Sequence, residues 1–129
     1  MRRIFQAAAW LLAVVIVVLS LSPPDLRPQT GAGHNFEHIA IFLITGMAFG
    51  FGYPGRAKVL AIGLLAFVAA IEISQIWVPG RHARASDFVF DAVASYVGLG
   101  LAYVLEKSRI AARLKMRGAR SFLFVRKKR

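Results

Sequence analysis

The chain has 129 residues, of which 57 % are hydrophobic, 18 % are charged and none is cysteine. This length allows one domain of ordinary size, the hydrophobicity excludes a disordered chain, and the lack of cysteine excludes disulfide frameworks, thiolate metal sites and thiol nucleophiles. The mean hydropathy of +0.58 together with a formal net charge of +11 indicates a small membrane protein with basic ends.

The excess positive charge belongs to a C-terminal tail. Residues 107–129 hold ten of the 17 lysines and arginines and no acid, whereas residues 1–106 hold the other seven and all six acids. The apolar body of the chain is therefore nearly neutral.

Four apolar segments predict an all-α integral membrane bundle of four transmembrane helices. Residues 4–21 would reach ~27 Å as a helix, about the thickness of the hydrocarbon core. A signal peptide is the alternative interpretation, but Pro23 and Pro24 make a poor cleavage context. Residues 22–35 form a linker rich in proline, glycine and polar residues.

The remaining three segments follow in close succession. Residues 39–53 are short for a span, but a helix that begins at His34 would extend through the headgroup region. Residues 59–78 and 88–105 form the third and fourth predicted spans. Repeats of small residues, which let helices approach closely in lipid, occur in the last three segments. These repeats are Gly46-x3-Gly50, Ala66-x3-Ala70 and Ala94-x3-Gly98-x3-Ala102.

The basic residues predict an orientation as well. Cytoplasmic loops carry an excess of lysine and arginine, so residues 2–3, residues 56–58 and the tail are assigned to the cytoplasm. Both termini then lie inside, since an even number of spans puts the two ends of a chain on the same side. Residues 79–87 lie outside, where two arginines oppose the rule and need a reason.

A set of polar residues falls at one depth, which we call the polar layer. In an antiparallel bundle, the second span begins, the third ends and the fourth begins at the same surface. Glu72 lies ~10 Å and Asp91 ~6 Å from that surface at the helical rise. The layer contains His34, Glu37, His38, Glu72, Gln75, Arg81, Asp87 and Asp91. The candidate ligand-binding residues among them are His38, Glu72, Gln75, Arg81, Asp87 and Asp91.

Structural roles compete with functional ones in this layer. Asp87 and Ser86 would cap the fourth helix, where an acid suits the helix dipole. Glu72 and Asp91 would fix the order of the helices by hydrogen bonding. The partners expected for that role are Gln75, Arg81 and Ser95. The functional alternative is a polar site that binds a charged ligand or carries a proton, because acids within a span are costly.

Metal and enzyme chemistry have little support. Residues His34, Glu37 and His38 match H-x-x-E-H, an inverted zinc-protease motif, but spacing offers no further ligand, so we expect no metal and no cofactor. The chain also lacks a nucleophilic triad, a phosphate-binding glycine loop and a dinucleotide fingerprint. No catalytic residue is assigned, and an enzyme is the least supported class.

Two basic segments suggest anionic partners. Arg81 and Arg84 would pair with acids of the layer or recognise phosphate, for which arginine offers a bidentate fork. The tail predicts an interfacial helix whose basic side chains attract anionic lipid by ~1 kcal/mol each. The membrane-surface residues on its narrow basic arc are Arg109, Arg113, Arg117 and Arg120. Nucleic acid is the rival partner of a basic run, but lipid lies nearer, so no nucleic acid is expected.

The third and fourth spans resemble the VanZ-like family, named for a protein of glycopeptide-resistance clusters that confers teicoplanin resistance. The matching pattern is Glu72-Ile-Ser-Gln75, Val78-Pro79-Gly80-Arg81 and Asp87-x3-Asp91-x6-Gly98, and His38-x3-Phe42 is also similar. Family members carry an asparagine where Asp91 stands and a glycine where Ala94 stands. The resemblance implies a core over residues 36–105, between the linker and a basic cytoplasmic tail over residues 106–129.

The resemblance implies a cell-envelope or antibiotic-resistance role but no settled reaction. The primary hypothesis is a membrane protein whose outer-leaflet polar pocket binds a polar or phosphorylated, lipid-linked envelope component, with Arg81 as the anion contact. One alternative is a small proton-coupled transporter that uses Glu72 or Asp91. Another is a structural or assembly partner without its own chemistry. The oligomeric state stays open.

Overall fold

The computed structural model describes residues 1–22, 34–78 and 84–126, with side chains described in residues 1–22, 36–78 and 84–112. Over these ranges the chain is all-helical and contains no strand. The four helices are α1 (Arg2–Leu21), α2 (His34–Gly52), α3 (Ala57–Gln75) and α4 (Ala85–Arg126).

Three of the helices are long and apolar enough to cross a membrane. These segments are Arg2–Leu21, Ala57–Gln75 and Ala85–Ala112, and the apolar stretch Phe36–Gly52 of α2 is shorter. Large apolar side chains also cover the outside of the bundle, for example Ile62 at 71 % exposure. An apolar exterior of this extent indicates a membrane protein, because a soluble bundle would expose polar faces instead.

The turn between α2 and α3 is tight. The Arg56 amide donates to the Tyr53 carbonyl over 3.3 Å, and Gly55 has a φ of 78°, which a residue with a Cβ adopts only with strain. Helix α2 ends at Gly52, directly before Tyr53-Pro54-Gly55, because proline does not continue a helix. This turn sends α3 back antiparallel to α2.

Helices α2 and α4 run parallel and form the most extensive helix pair in the bundle. Near the starts of both helices His38 contacts Asp91, and further along both helices Gly50 lies against Ala102, so the two helices run in the same direction. Helix α1 packs against α2 and α3, and α3 also packs against α4. The starts of α2 and α4 and the end of α3 therefore lie at the same end of the bundle.

Three glycines allow the close approach of α2 and α4, and we call this contact the glycine seam. A Cβ added to Gly46 would overlap the carbonyl oxygen of Ser95, and one added to Gly98 would overlap that of Leu43. Gly50 faces the side chain of Ala102 in the same contact. Two of the three predicted small-residue repeats thus pack against each other, with backbone against backbone.

The third repeat lies on the exposed face of α3 among the described residues. Ala66 and Ala70 are exposed on α3, and a Cβ at the nearby Gly63 would meet no atom within 4 Å. Helix α3 instead buries Leu64, Val68 and Ile71, because these larger apolar side chains fill the space between four helices where small ones would leave voids.

Helix α4 continues past the predicted end of the fourth span. It runs without a break from Ala85 to Arg126, so the boundary predicted at residue 106 is not marked by a helix end. At ~1.5 Å per residue, the helix is about twice as long as a hydrocarbon core is thick. The division into a membrane core and a cytoplasmic tail stays a prediction.

Candidate functional site

A partly buried contact joins the starts of the two parallel helices. His38 Nδ1 of α2 lies 3.2 Å from Asp91 Oδ2 of α4, with side-chain exposures of 18 % and 5 % respectively. His38 is four residues before Phe42, a fully buried aromatic residue of the core, which fixes the face of α2 that His38 occupies. The pairing supplies the neighbour that an acid inside an apolar bundle requires.

Glu72 joins the end of α3 to the start of α4. The Arg84 backbone N–H donates a hydrogen bond to Glu72 Oε1, and Arg84 directly precedes the first residue of α4. The structural role considered for Glu72 predicted Gln75, Arg81 or Ser95 as partner. Among the described residues, the observed partner is instead a backbone amide, whose direction is fixed by the helix start and favours a carboxylate there.

Three other groups of the polar layer surround the Glu72 carboxylate. His38, Asp87 and Asp91 lie near enough to interact with it electrostatically. Residues 38, 72, 87 and 91 are thus brought together from three helices. The antiparallel direction of α3 causes this convergence, since it brings the end of α3 to the starts of α2 and α4.

Asp87 lies at the edge of this group. It is half-buried in the first turn of α4 and accepts a hydrogen bond from Ser86 Oγ over 3.0 Å. An acid in this turn is stabilised by the exposed N–H groups of the helix start. Because α4 begins at Ala85, Ser86 and Asp87 lie within its first turn and not at the predicted capping position before it, and Asp87 adds an acid to the site.

Two buried oxygen atoms in the group lack a hydrogen-bond partner among the described residues. They are Asp91 Oδ1, the oxygen turned away from the His38 contact, and Ser95 Oγ. Asp91 is 3 % exposed and Ser95 is fully buried one turn further along α4. Leaving such groups unpaired is costly in an apolar interior, so this part of the layer has unmet hydrogen-bonding capacity.

The remaining predicted residues are placed less centrally. Gln75 is buried at the end of α3. Arg81 lies outside the described residues, so the predicted anion contact has no observed position. Arg109 is exposed on α4. The side chains of the other three membrane-surface residues lie outside the described ranges. These three residues are Arg113, Arg117 and Arg120.

The arrangement favours hydrogen bonding and proton exchange over metal chemistry. Within the described residues, no three histidine, aspartate or glutamate side chains are placed to share a metal ion. His38 is described, but the side chain of His34 lies outside the described ranges, so the H-x-x-E-H match has no observed geometry. A buried imidazole–carboxylate pair can hold, accept or release a proton.

Ser95 is the residue that the candidate set omitted. Its spacing of four residues from Asp91 placed it on the same face of the helix, but a lone serine in an apolar span is common and carried no separate signal. The backbone amide of Arg84 could not be identified either, because a main-chain donor leaves no trace in the residue types.

Comparison with known proteins gives no matching family model, no matching curated protein and no matching solved structure. The resemblance to the VanZ-like family therefore rests on its motif residues alone.

Proposed function

We propose that this chain is a VanZ-like protein of the bacterial cytoplasmic membrane that binds a polar component of the cell envelope at the polar layer. In this proposal the four helices cross the membrane, both termini lie in the cytoplasm, and the polar layer lies at the outer face. The bound component is lipid-linked, polar or phosphorylated, and Arg81 contacts its anionic group.

The convergence of three helix ends is the observation that carries the proposal. His38 contacts Asp91 across α2 and α4, while Glu72 of α3 accepts the Arg84 amide at the start of α4. Two of these helices are long and apolar enough to cross a membrane. Grouped ionisable side chains inside such a bundle mark ligand, ion or proton sites more often than scaffolding.

The topology is tested by reporter fusions. Reporters placed in the segments around residues 23–33 and 79–83 are expected on the outer side, and those at residue 55 and after residue 112 in the cytoplasm. A map with residues 23–33 and 79–83 on opposite sides of the membrane would contradict the proposal, because the polar layer would then have no single outer face.

Binding is tested by native mass spectrometry of the purified full chain. A co-purified envelope lipid is expected, and Arg81→Ala or Asp87→Ala is expected to remove it. Glu106→Gln is the matched control, since it removes a carboxylate about midway along α4, at the opposite end of the bundle. Retention of the same lipid by both site variants would exclude the polar layer as its binding site.

A small proton-coupled transporter is the second candidate function. The partly buried His38–Asp91 contact favours it, because an imidazole beside a carboxylate within an apolar bundle can exchange a proton. Glu72→Gln is then expected to abolish a flux driven by a pH gradient while the amount of inserted protein stays unchanged. Transport at the wild-type rate would exclude Glu72 as the proton carrier.

A structural or assembly role is supported by a different contact. The bond from the Arg84 amide to Glu72 ties α3 to α4 without needing any ligand. If this is the whole role of the layer, variants at Glu72 and Asp91 should lower the amount of protein in proportion to any phenotype. A binding defect in a variant of normal abundance would exclude this alternative.

A further inference from the structure

We infer that the described part of the polar layer takes an ammonium group of its ligand, a hydrogen-bond donor with positive charge, rather than a phosphate. This inference rests on the proposed function and specifies which part of a polar envelope component reaches Asp91. The phosphate contact predicted for Arg81 is a second position, separate from the ammonium position at Asp91.

The charges of the described residues are the first reason. The carboxyl groups of Glu72, Asp87 and Asp91 lie near one another at one end of the bundle, and His38 is the basic side chain that interacts with them. The neighbouring Arg84 is exposed and offers its backbone amide to the site. A cation is attracted to this group, whereas a phosphate would be repelled.

The unpartnered oxygens give an independent reason. Asp91 Oδ1 is an acceptor without a described donor, and its residue is 97 % buried, as the 3 % exposure implies. Ser95 Oγ, on the same face one turn later, is also without a described partner. An ammonium group has three N–H donors and no acceptor, so it can satisfy both oxygens, whereas a phosphate oxygen supplies no donor to either.

Burial increases from the end of the bundle inward, which gives an ammonium group a direction of entry. Glu72 and Asp87 are half-buried and His38 is partly exposed, while Asp91 and Ser95 are buried. A cation that arrives from the end of the bundle therefore meets half-buried carboxylates before it reaches the buried pair. Charge-assisted hydrogen bonds of this kind are shorter and stronger than neutral ones.

The ammonium group can come from a lipid headgroup or from a free amine, and the experiment separates these sources. The purified full chain in detergent is titrated with phosphatidylethanolamine, with phosphatidylglycerol of identical acyl chains, with free ethanolamine and with inorganic phosphate. We expect phosphatidylethanolamine to bind at least ~10-fold more tightly than phosphatidylglycerol, as a hydrogen bond to a charged group implies. Free ethanolamine that binds equally well would identify the amine itself as sufficient.

Variants identify the position. Asp91→Asn keeps the shape of the side chain and is expected to abolish the preference for the ethanolamine lipid, and Glu72→Gln is expected to weaken it. Glu106→Gln is the matched control and should retain the preference in full. Equal binding of the two lipids by the wild-type chain, or tighter binding of phosphate, would overturn this inference and leave the proposed function standing. Absence of binding by every probe would likewise overturn the inference, and the proposed function would still be decided by the lipid that co-purifies with the chain.

A second measurement needs no change at the site, which matters if Asp91→Asn fails to fold. Trp77 follows the end of α3 and is 74 % exposed, and Trp10 is the chain's other tryptophan. In Trp10→Phe, the remaining fluorescence reports on this end of the bundle. Phosphatidylethanolamine is expected to shift the Trp77 emission and phosphatidylglycerol to leave it unchanged. Binding of the ethanolamine lipid without a shift would place it elsewhere and overturn the inference.

Discussion

The pair formed by α2 and α4 has two halves with opposite character. At the glycine seam, Gly46 and Gly98 each face a backbone carbonyl of the opposite helix. At the polar layer, the same two helices bring His38 to Asp91 and leave Asp91 Oδ1 and Ser95 Oγ without described partners. The glycine seam is filled by contacts within the chain, whereas the polar layer keeps two hydrogen-bonding atoms that a ligand could satisfy.

This difference separates stability from binding. Close packing between backbones supplies association energy where lipid provides no hydrophobic drive, so the seam holds the helices together. The polar layer can then tolerate unpaired oxygens, because its own contacts are not the main attachment of α2 to α4. Substitutions in the seam should therefore change folding, and substitutions in the layer should change binding more than folding.

The largest effect is expected at the seam. Gly98→Ala places a methyl group against the Leu43 carbonyl and should destabilise the bundle by ~1–3 kcal/mol, as overpacking of a core does. Gly100→Ala is the matched control, because it has the same change in helix propensity and its Cβ meets no atom within 4 Å. Unfolding in a denaturing detergent, followed by helical circular dichroism, measures both. Equal stability of the two variants would contradict the close approach at the seam.

A smaller effect is expected for the contact of His38 with Asp91. A double-mutant cycle with His38→Ala and Asp91→Ala should give a coupling energy of ~0.6–1.7 kcal/mol, the range found for polar contacts between helices in membranes. The same cycle between His38 and Glu106 should give a coupling near zero, since distant sites act additively. A coupling energy larger than the cost of Gly98→Ala would show that the polar layer, and not the glycine seam, contributes more to stability.

Ser95→Ala should separate stability from ligand binding most sharply. Its hydroxyl is buried without a described partner, so its removal should leave unfolding within ~0.5 kcal/mol of wild type or raise stability slightly. Binding of phosphatidylethanolamine by this variant should be weaker. Thr45→Val is the comparison, because the buried Thr45 hydroxyl donates to the Ile41 carbonyl over 2.7 Å. A marked loss of stability in Ser95→Ala would show that its hydroxyl has a structural partner.

A small loss of stability is also expected at the opposite end of the bundle. There Trp10 Nε1 donates to the Tyr53 hydroxyl over 3.0 Å in an exposed position. Tyr53→Phe should cost ~0.5 kcal/mol, the lower limit for a hydrogen bond that competes with water. The matched control is Tyr96→Phe at an exposed position of α4, and thermal unfolding compares the two. A loss of stability as large as that of Gly98→Ala would show that this end of the bundle contributes as much to stability as the glycine seam.

Much of the fold followed from hydrophobic pattern and spacing. The four apolar segments predicted four helices, and the structure has four over its described residues. Small residues spaced four apart predicted close packing for α2 and α4, which the seam confirms. The same pattern was a poor guide for Ala66 and Ala70, which are exposed. Spacing defines a helix face, but it does not specify whether a helix or lipid covers that face.

The sequence predicted which residues form the candidate site better than it predicted their hydrogen-bond partners. Helix direction alone brought His38, Glu72, Asp87 and Asp91 to one end. The partner of Glu72 was not predictable, because a backbone amide exists at every non-proline residue. Gln75 and Arg81 were included by position along the chain, which does not fix where a side chain points.

The sequence by itself determined the class of this protein: an apolar, helical chain with a nearly neutral body and a basic tail, and with its acids near the ends of apolar segments. The tertiary structure decided which helices pair. It set α2 parallel to α4 through three glycines, paired His38 with Asp91, and left two buried oxygens without a described partner. Composition and periodicity are local properties of a segment, whereas the partner of a glycine or a carboxylate depends on what the rest of the chain packs against it.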